Sequence, residues 1–162
     1  MALRMTTLGC MGLVLTALVA GCGGEDAPPT KKEDYIAKVD RLCAADDRRT
    51  EKAATAFQEA IKADDYTAAA AVVTGLQTSE AATTEQIEEI DPPEAGQVTI
   101  DEFISLSKRL NELDTEIAAA IRIEDREASD AAEKEGDLLE DRRDRLAGDY
   151  GFVACGSGDT GT

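Results

Sequence analysis

Apolar side chains recur every three or four positions through most of the chain. This spacing lines them up along one face of an α-helix, whereas a half-buried β-strand would alternate them at every second position. Interruptions divide the pattern into four helices, which we predict at residues 31–62, 66–90, 94–123 and 126–150. Their lengths and short connections predict an all-α fold, an antiparallel four-helix bundle made of two αα-hairpins.

Local signals mark the ends of these helices. Thr30 and Glu33 have the spacing of a capping box, in which each side chain satisfies a backbone N–H at the start of a helix. Asp65 is suited to cap the second helix, and the two prolines after Asp91 stop it. Gly151 is suited to end the fourth helix, because glycine adopts the left-handed backbone conformation without strain.

The same pattern predicts which side chains face the interior. On the third helix the expected inward face includes Val98 and Phe103. The fourth helix is the least apolar and contains Gly136, so we expect it to be marginally stable. Its expected inward residues are Ala131, Leu138, Leu139, Leu146 and Tyr150.

The first 21 residues have the layout of a secretory signal peptide. Arg4 precedes an apolar stretch over residues 5–20, and small residues follow it. The ending Val19-Ala20-Gly21-Cys22 resembles the lipobox of bacterial lipoproteins. That resemblance implies cleavage after Gly21 and a diacylglyceryl thioether on the Cys22 sulfur. An uncleaved membrane helix is the alternative, but sixteen residues broken by Gly and Thr are short for a span of ~20.

A lipidated Cys22 would place the protein on the extracytoplasmic side of the cell membrane, anchored by lipid. We then expect a flexible tether at residues 22–30, where Gly and Pro resist helix formation. The bundle domain follows at residues 31–155, and a disordered tail at 156–162.

Charge narrows the range of partners. The chain has 34 acidic and 17 basic residues, a net charge of −17. Removal of residues 1–21 takes away Arg4 and no acid, so the mature chain reaches −18. Such a surface repels phosphate backbones, and we therefore expect no nucleic-acid partner. The partners that remain are membrane lipid, through Cys22, and another envelope protein.

Two cysteines are left to pair once Cys22 carries lipid and Cys10 has been removed with the leader. At equal rise per residue, the fourth helix ends at the level of residue 45 of the first. The short segment after it therefore brings Cys155 beside Cys43. An oxidising compartment permits this disulfide, which would close a loop of ~110 residues. Two free thiols are the alternative, and a redox-active pair is disfavoured because the chain has no Cys-x-x-Cys spacing.

Catalytic chemistry is poorly supported. The chain contains no histidine, which removes the usual general base and the commonest transition-metal ligand. Its serines lack the glycines of a nucleophile elbow. We therefore expect neither an enzyme nor a cofactor.

Carboxylates are the one recurring chemical theme, and most of them are expected on solvated helix faces or at caps. The best candidate for a cation site combines Asp64 and Asp65 with Glu124 and Asp125, because both turns should lie at the same end of the bundle. These turns read alike at an offset of 60 residues. The likeness suggests two related hairpins.

Asp46 and Thr50 interrupt the apolar stripe of the first helix. They would either line a small ligand pocket between helices or lie where the helix meets solvent or pairs with the fourth helix. We favour the second interpretation. The basic residues at a similar level of the fourth helix are Arg142, Arg143 and Arg145.

The mature chain combines a cysteine early in its first helix, a Pro-Pro break at mid-chain and a Gly-x-x-x-Cys-Gly sequence ending at Gly156. In these features it resembles the small helical two-cysteine lipoproteins of high-GC bacteria. The shared motifs are structural and imply no active site. Our first hypothesis is a non-enzymatic structural or protein-interaction module of the cell envelope. The alternative is a small-ligand-binding or cation-binding lipoprotein, which a pocket lined by Asp46 and Thr50 would favour.

Overall fold

The structure is a computed structural model that describes residues 30–156 of the 162. Its helices are α1 (Lys31–Lys62), α2 (Tyr66–Glu88), α3 (Gln97–Arg122) and α4 (Arg126–Tyr150). Helices that follow one another along the chain pack together. The predicted all-α four-helix bundle is confirmed, with no strand in the described residues. The predicted signal peptide, Cys22 and nearly all of the tether and tail lie outside those residues.

Side-chain caps explain three helix starts, two of them predicted from the sequence. Glu33 N–H donates to the Thr30 hydroxyl at 3.2 Å, and Thr30 N–H donates to the Glu33 carboxylate at 2.7 Å, so the capping box of α1 is confirmed. Asp65 caps α2 by accepting Ala68 N–H at 2.9 Å. Asp125 caps α4 in the same way. Acidic caps also suit the positive end of a helix dipole.

The connection between α2 and α3 is longer than predicted. The second helix ends at Glu88 instead of residue 90, and the third begins at Gln97 instead of residue 94. Gly96 has a left-handed φ of 95° and lies against the Tyr150 ring, where an added Cβ would come within 2.4 Å of Cε2. The backbone therefore passes directly over the Tyr150 ring at Gly96, and α3 begins at the next residue.

The core has two parts. The larger one lies around the first part of α1, the end of α4 and the disulfide, and its buried residues are Tyr35, Val39, Cys43, Ile87, Ile100, Phe103, Ala147, Tyr150, Phe152 and Cys155. The smaller one lies near the two tight turns and consists mainly of alanines, with Ile121. Small side chains let α1 and α2 approach closely there.

Some predicted inward positions were wrong. Val98 is 80% exposed and Leu138 is 65% exposed. Ala131 is also exposed, whereas the neighbouring Ala132 is buried. One residue turns a helix by 100°, so an error of one position moves a side chain from the interior to the surface. Ser129, Ala132 and Ala147 share the inward face of α4, and the polar Ser129 was not counted in that stripe.

The backbones of the first and fourth helices do not approach closely: the two helices meet through side chains such as Tyr35 and Tyr150, whose ring centroids are 6.3 Å apart, and an open seam runs between them. In the described chain no Cα atom of α1 lies within 8 Å of a Cα atom of α4. The segment after α4 closes this seam at one end, where Cys155 forms the predicted disulfide with Cys43, their Cα atoms 5.1 Å apart. Asp40 of α1 also accepts the backbone N–H groups of Val153 and Ala154, both at 2.9 Å.

None of the described helices is long and apolar enough to cross a membrane.

Candidate functional site

The open seam leaves a cavity of about 160 Å³ beside the disulfide, which we call the polar cavity. All four helices contribute side chains to it. Asp46 and Thr50 come from α1, Glu80 from α2, Asn111 from α3 and Arg143 from α4. The pocket considered for Asp46 and Thr50 is therefore present between the helices.

Asp46 does not pair with the fourth helix, so that half of the favoured interpretation was wrong, whereas Thr50 is exposed, as its other half expected. One of its carboxylate oxygens accepts hydrogen bonds from Arg49 Nε at 3.1 Å and from its terminal nitrogen at 2.8 Å. The hydroxyl of Ser79 donates to the same oxygen at 3.1 Å. Only 16% of the Asp46 side chain is exposed, since Arg49 and α2 cover it.

The arginines of α4 have other partners. Arg143 donates to Glu140 at 3.2 Å and to Asp144 at 3.0 Å, while Arg142 binds Glu102 of α3. The polar cavity thus contains a guanidinium, but its hydrogen bonds go to the carboxylates of α4.

Glu80 is the central titratable group of the site. Burial, followed by the nearby charges of Asp114 and Asp46, raises its pKa to about 8. The pKa of Asp114 is also raised, mainly by burial, and the two carboxyl groups share a hydrogen bond. At neutral pH the pair therefore holds a proton, most of it on Glu80.

Glu80 and Asp114 were not among the predicted site residues, although their spacing contained the signal. Glu80 lies four residues after Leu76 and seven before Ile87, on the inward stripe of α2. Asp114 lies four residues after Leu110 on α3. A carboxylate in an apolar stripe is costly to bury, and such positions often mark functional groups.

The side-chain oxygen of Asn111 is buried without a hydrogen-bond donor. Asn111 is only 7% exposed and lines the polar cavity, and its side-chain oxygen accepts no hydrogen bond. A buried acceptor without a donor costs about 1–3 kcal/mol. A donor on a bound molecule would remove this cost.

A second cavity of about 250 Å³, which we call the apolar cavity, lies next to the first. Thr50 and Glu80 line both cavities. The walls of the apolar cavity include Ala53, Phe57, Val73, Leu76 and Ile117. The seam is therefore polar near the disulfide and apolar beyond Glu80.

The acidic residues of the two turns have roles in the backbone structure of the turns. Asp65 and Asp125 cap helices, while Asp64 and Glu124 occupy the left-handed region with φ of 54° and 59°. The turns do lie at the same end of the bundle, since Ile61, Tyr66, Glu124 and Asp125 line one further cavity. However, no group of three or more acidic or cysteine residues is placed to hold a metal ion within residues 30–156.

Comparison with family models, with curated proteins and with solved structures found no match to this chain.

Proposed function

We propose that this protein is a membrane-anchored extracytoplasmic lipoprotein, without enzymatic activity, that binds a small ligand in the polar cavity. The proposal favours the alternative function from the sequence over a purely structural role in the envelope. The observation that carries it is the cavity itself, lined by Asp46 and Thr50 and by the unpartnered oxygen of Asn111.

The anchor rests on the sequence, and the cysteine pairing agrees with it. Cys43 and Cys155 bind each other, so the lipobox cysteine is the one cysteine after residue 21 that is left for lipid. Two or three acyl chains hold a protein at a membrane where a single chain would not. The tether lets the acidic domain stand away from the lipid surface.

The anchor is tested by fractionating cells that express Cys22→Ala. We expect this variant to lose acylation, detected with a labelled fatty acid, and to leave the membrane fraction. The control is Cys10→Ala, which changes the other cysteine of the leader and should stay in the membrane. If Cys22→Ala is processed and retained like the original chain, the lipoprotein assignment is wrong.

The ligand is tested by native mass spectrometry of the full chain, purified under mild conditions from the cells that produce it. We expect a bound small molecule that is released on unfolding. The variant Thr84→Phe fills the polar cavity from α2 and should lack this mass, whereas Thr67→Phe, at an exposed position of the same helix, should keep it. A bound mass that persists in Thr84→Phe would place the ligand elsewhere.

A further inference from the structure

The polar cavity has more acceptors than donors. Within the described residues, four carboxyl groups and one cation line it, and these are Asp46, Asp47, Glu80, Glu140 and Arg143. Arg143 is bound to acids of its own helix, and Arg49 reaches Asp46 and Thr83. Neither arginine donates a hydrogen bond to Glu80. A ligand that completes this site should therefore bring positive charge and N–H donors.

Asn111 points to the same chemistry by an independent route. Its buried side-chain oxygen can only accept a hydrogen bond, and the protein supplies none. An ammonium group has three donors and no acceptor, so it can serve Asn111 and a carboxylate at once. An anionic or purely acceptor ligand would leave Asn111 unpaired and face the surrounding acids.

The apolar cavity indicates what the rest of the ligand looks like. It begins at Glu80 and Thr50, where the polar cavity ends. Its walls are mainly alkyl and aromatic, and Asp114 and Glu133 also line it. Neither cavity alone has the volume of a typical ligand site, but together they reach the lower part of the range of ~300–1,000 Å³. A short hydrocarbon chain attached to the ammonium group would fill it.

We propose that the ligand is an amphiphilic amine, with its ammonium group between Glu80 and Asn111 in the polar cavity and its hydrocarbon part in the apolar cavity. This inference rests on the proposed ligand-binding function and gives it a chemical class.

The class is tested by titration calorimetry of the full chain with hexylammonium, hexanol and hexanoate, which share one chain length and differ in the head group. We expect saturable binding of hexylammonium at least tenfold tighter than hexanol, and no measurable binding of hexanoate. Shortening the amine to butylammonium should weaken binding roughly fourfold per methylene, as expected for burial of the chain.

Binding should also release a proton. Glu80 faces Asp46 from α1, Asp114 from α3 and Arg143 from α4, and it is protonated at neutral pH. A cation placed beside it favours the charged carboxylate, so the proton passes to the buffer. The observed enthalpy near pH 7 should therefore differ between buffers of low and high ionisation enthalpy.

Two variants locate the ammonium group. Glu80→Gln keeps the shape of a neutral glutamic acid but cannot become an anion, and it should weaken hexylammonium binding at least tenfold and abolish proton release. Asn111→Leu removes the acceptor and should weaken binding severalfold. Glu112→Gln is the control, because Glu112 is an exposed acid of α3 paired with Arg109 at 3.0 Å, and it should bind as the original chain does.

The outcomes separate the two proposals. Hexanol binding as tightly as hexylammonium would overturn the amine class while leaving a small-ligand function in place. Hexylammonium binding that Glu80→Gln does not weaken would overturn the site. No binding of any probe, together with a bound mass that Thr84→Phe removes, would overturn the amine class alone. No binding and no bound mass would overturn both proposals.

Discussion

The carboxylate of Asp40 links the first helix to the segment that follows the last one. One of its oxygens accepts two backbone N–H groups, from Val153 and Ala154, each at 2.9 Å. Hydrogen bonds to a charged group are stronger than neutral ones, and loss of the acceptor leaves both donors without it. We expect Asp40→Ala to lower the free energy of unfolding by about 2 kcal/mol, measured by urea denaturation.

Asp34→Ala is the matched control for that experiment. Asp34 lies on the same helix, and it forms an exposed i,i+4 pair with Lys38 at 2.6 Å. Such surface pairs contribute ~0–1 kcal/mol. Equal losses in the two variants would show that the contact of Asp40 with the final segment does not contribute as we argue.

Glu80 makes stability depend on pH. Its pKa is about 8 in the folded protein and near its usual 4.5 in the unfolded chain. Between these values the unfolded chain has released a proton that the folded protein keeps, so the free energy of unfolding falls as pH rises. The contribution is fully present below about pH 4.5 and is lost as pH rises towards 8.

We expect Glu80→Gln to reduce this dependence. The free energy of unfolding of the variant, minus that of the original chain, should increase with pH. The increase is at most about 1.4 kcal/mol per pH unit, which is the slope for one proton. Urea denaturation near pH 5 and near pH 7.5 measures the difference. Glu112→Gln should change the slope much less, and an equal change in both variants would mean that general charge repulsion is responsible.

At the scale of elements, the turns after α1 and α3 have the same construction. In each, a left-handed residue follows the helix, and the next residue donates its N–H to the carbonyl five positions back, as Asp65 does to Ala60 and Asp125 to Ala120, both at 2.9 Å. This is a Schellman arrangement in which the second residue also caps the following helix. The offset of 60 residues noticed in the sequence therefore corresponds to one shared backbone conformation.

Glu124 occupies the left-handed position where glycine is preferred, with φ of 59°. An L-residue pays roughly 1–2 kcal/mol for this conformation, partly offset by the extra freedom of glycine in the unfolded chain. We expect Glu124→Gly to raise the free energy of unfolding by about 0.5–1 kcal/mol. Glu124→Ala keeps the Cβ atom and should show no such gain, so an equal gain from both changes would exclude backbone strain as the cause.

The elements were largely predictable from the sequence because their signals are local. The Thr30 capping box and the caps at Asp65 and Asp125 depend on residues three apart, which the sequence shows directly. The start of α3 was not predictable in this way. It depends on a contact between Gly96 and the ring of Tyr150, which lies more than 50 residues later in the chain.

The site was predicted only in part. Asp46 and Thr50 were noticed because a polar residue interrupts an apolar stripe. Glu80 and Asp114 do the same on α2 and α3, yet their meeting follows from how those helices pack, and spacing within one helix cannot give it. The predicted partner of Asp46 was wrong because Arg49 of the same helix donates to its carboxylate at 2.8 Å, while Arg143 donates to Glu140 and Asp144 of its own helix.

For the whole molecule, the disulfide matters because the bundle has an open seam. The backbones of α1 and α4 do not approach closely, so the bond between Cys43 and Cys155 and the contacts around it, including that of Tyr35 with Tyr150, hold the chain ends together. Closing a loop across a separation of 112 residues stabilises a fold by roughly 4–5 kcal/mol in the chain-entropy model. That is comparable with the total stability of many domains.

We expect the double variant Cys43→Ser/Cys155→Ser to lose about 4 kcal/mol of unfolding free energy in urea. Adding a reductant should lower the stability of the original chain towards that of the double variant and leave the variant itself unchanged. A loss below about 1 kcal/mol would mean that packing alone closes the seam.

The most direct measurement for the account as a whole is the titration of the Glu80 side-chain carboxyl, followed by ¹³C NMR in the full chain with and without hexylammonium. The account predicts a pKa of about 8 in the free protein and a clear decrease when the amine is bound. A pKa near 4.5 in the free protein, unchanged by the amine, would contradict it, because Glu80 would then lie in solvent and not in a ligand site.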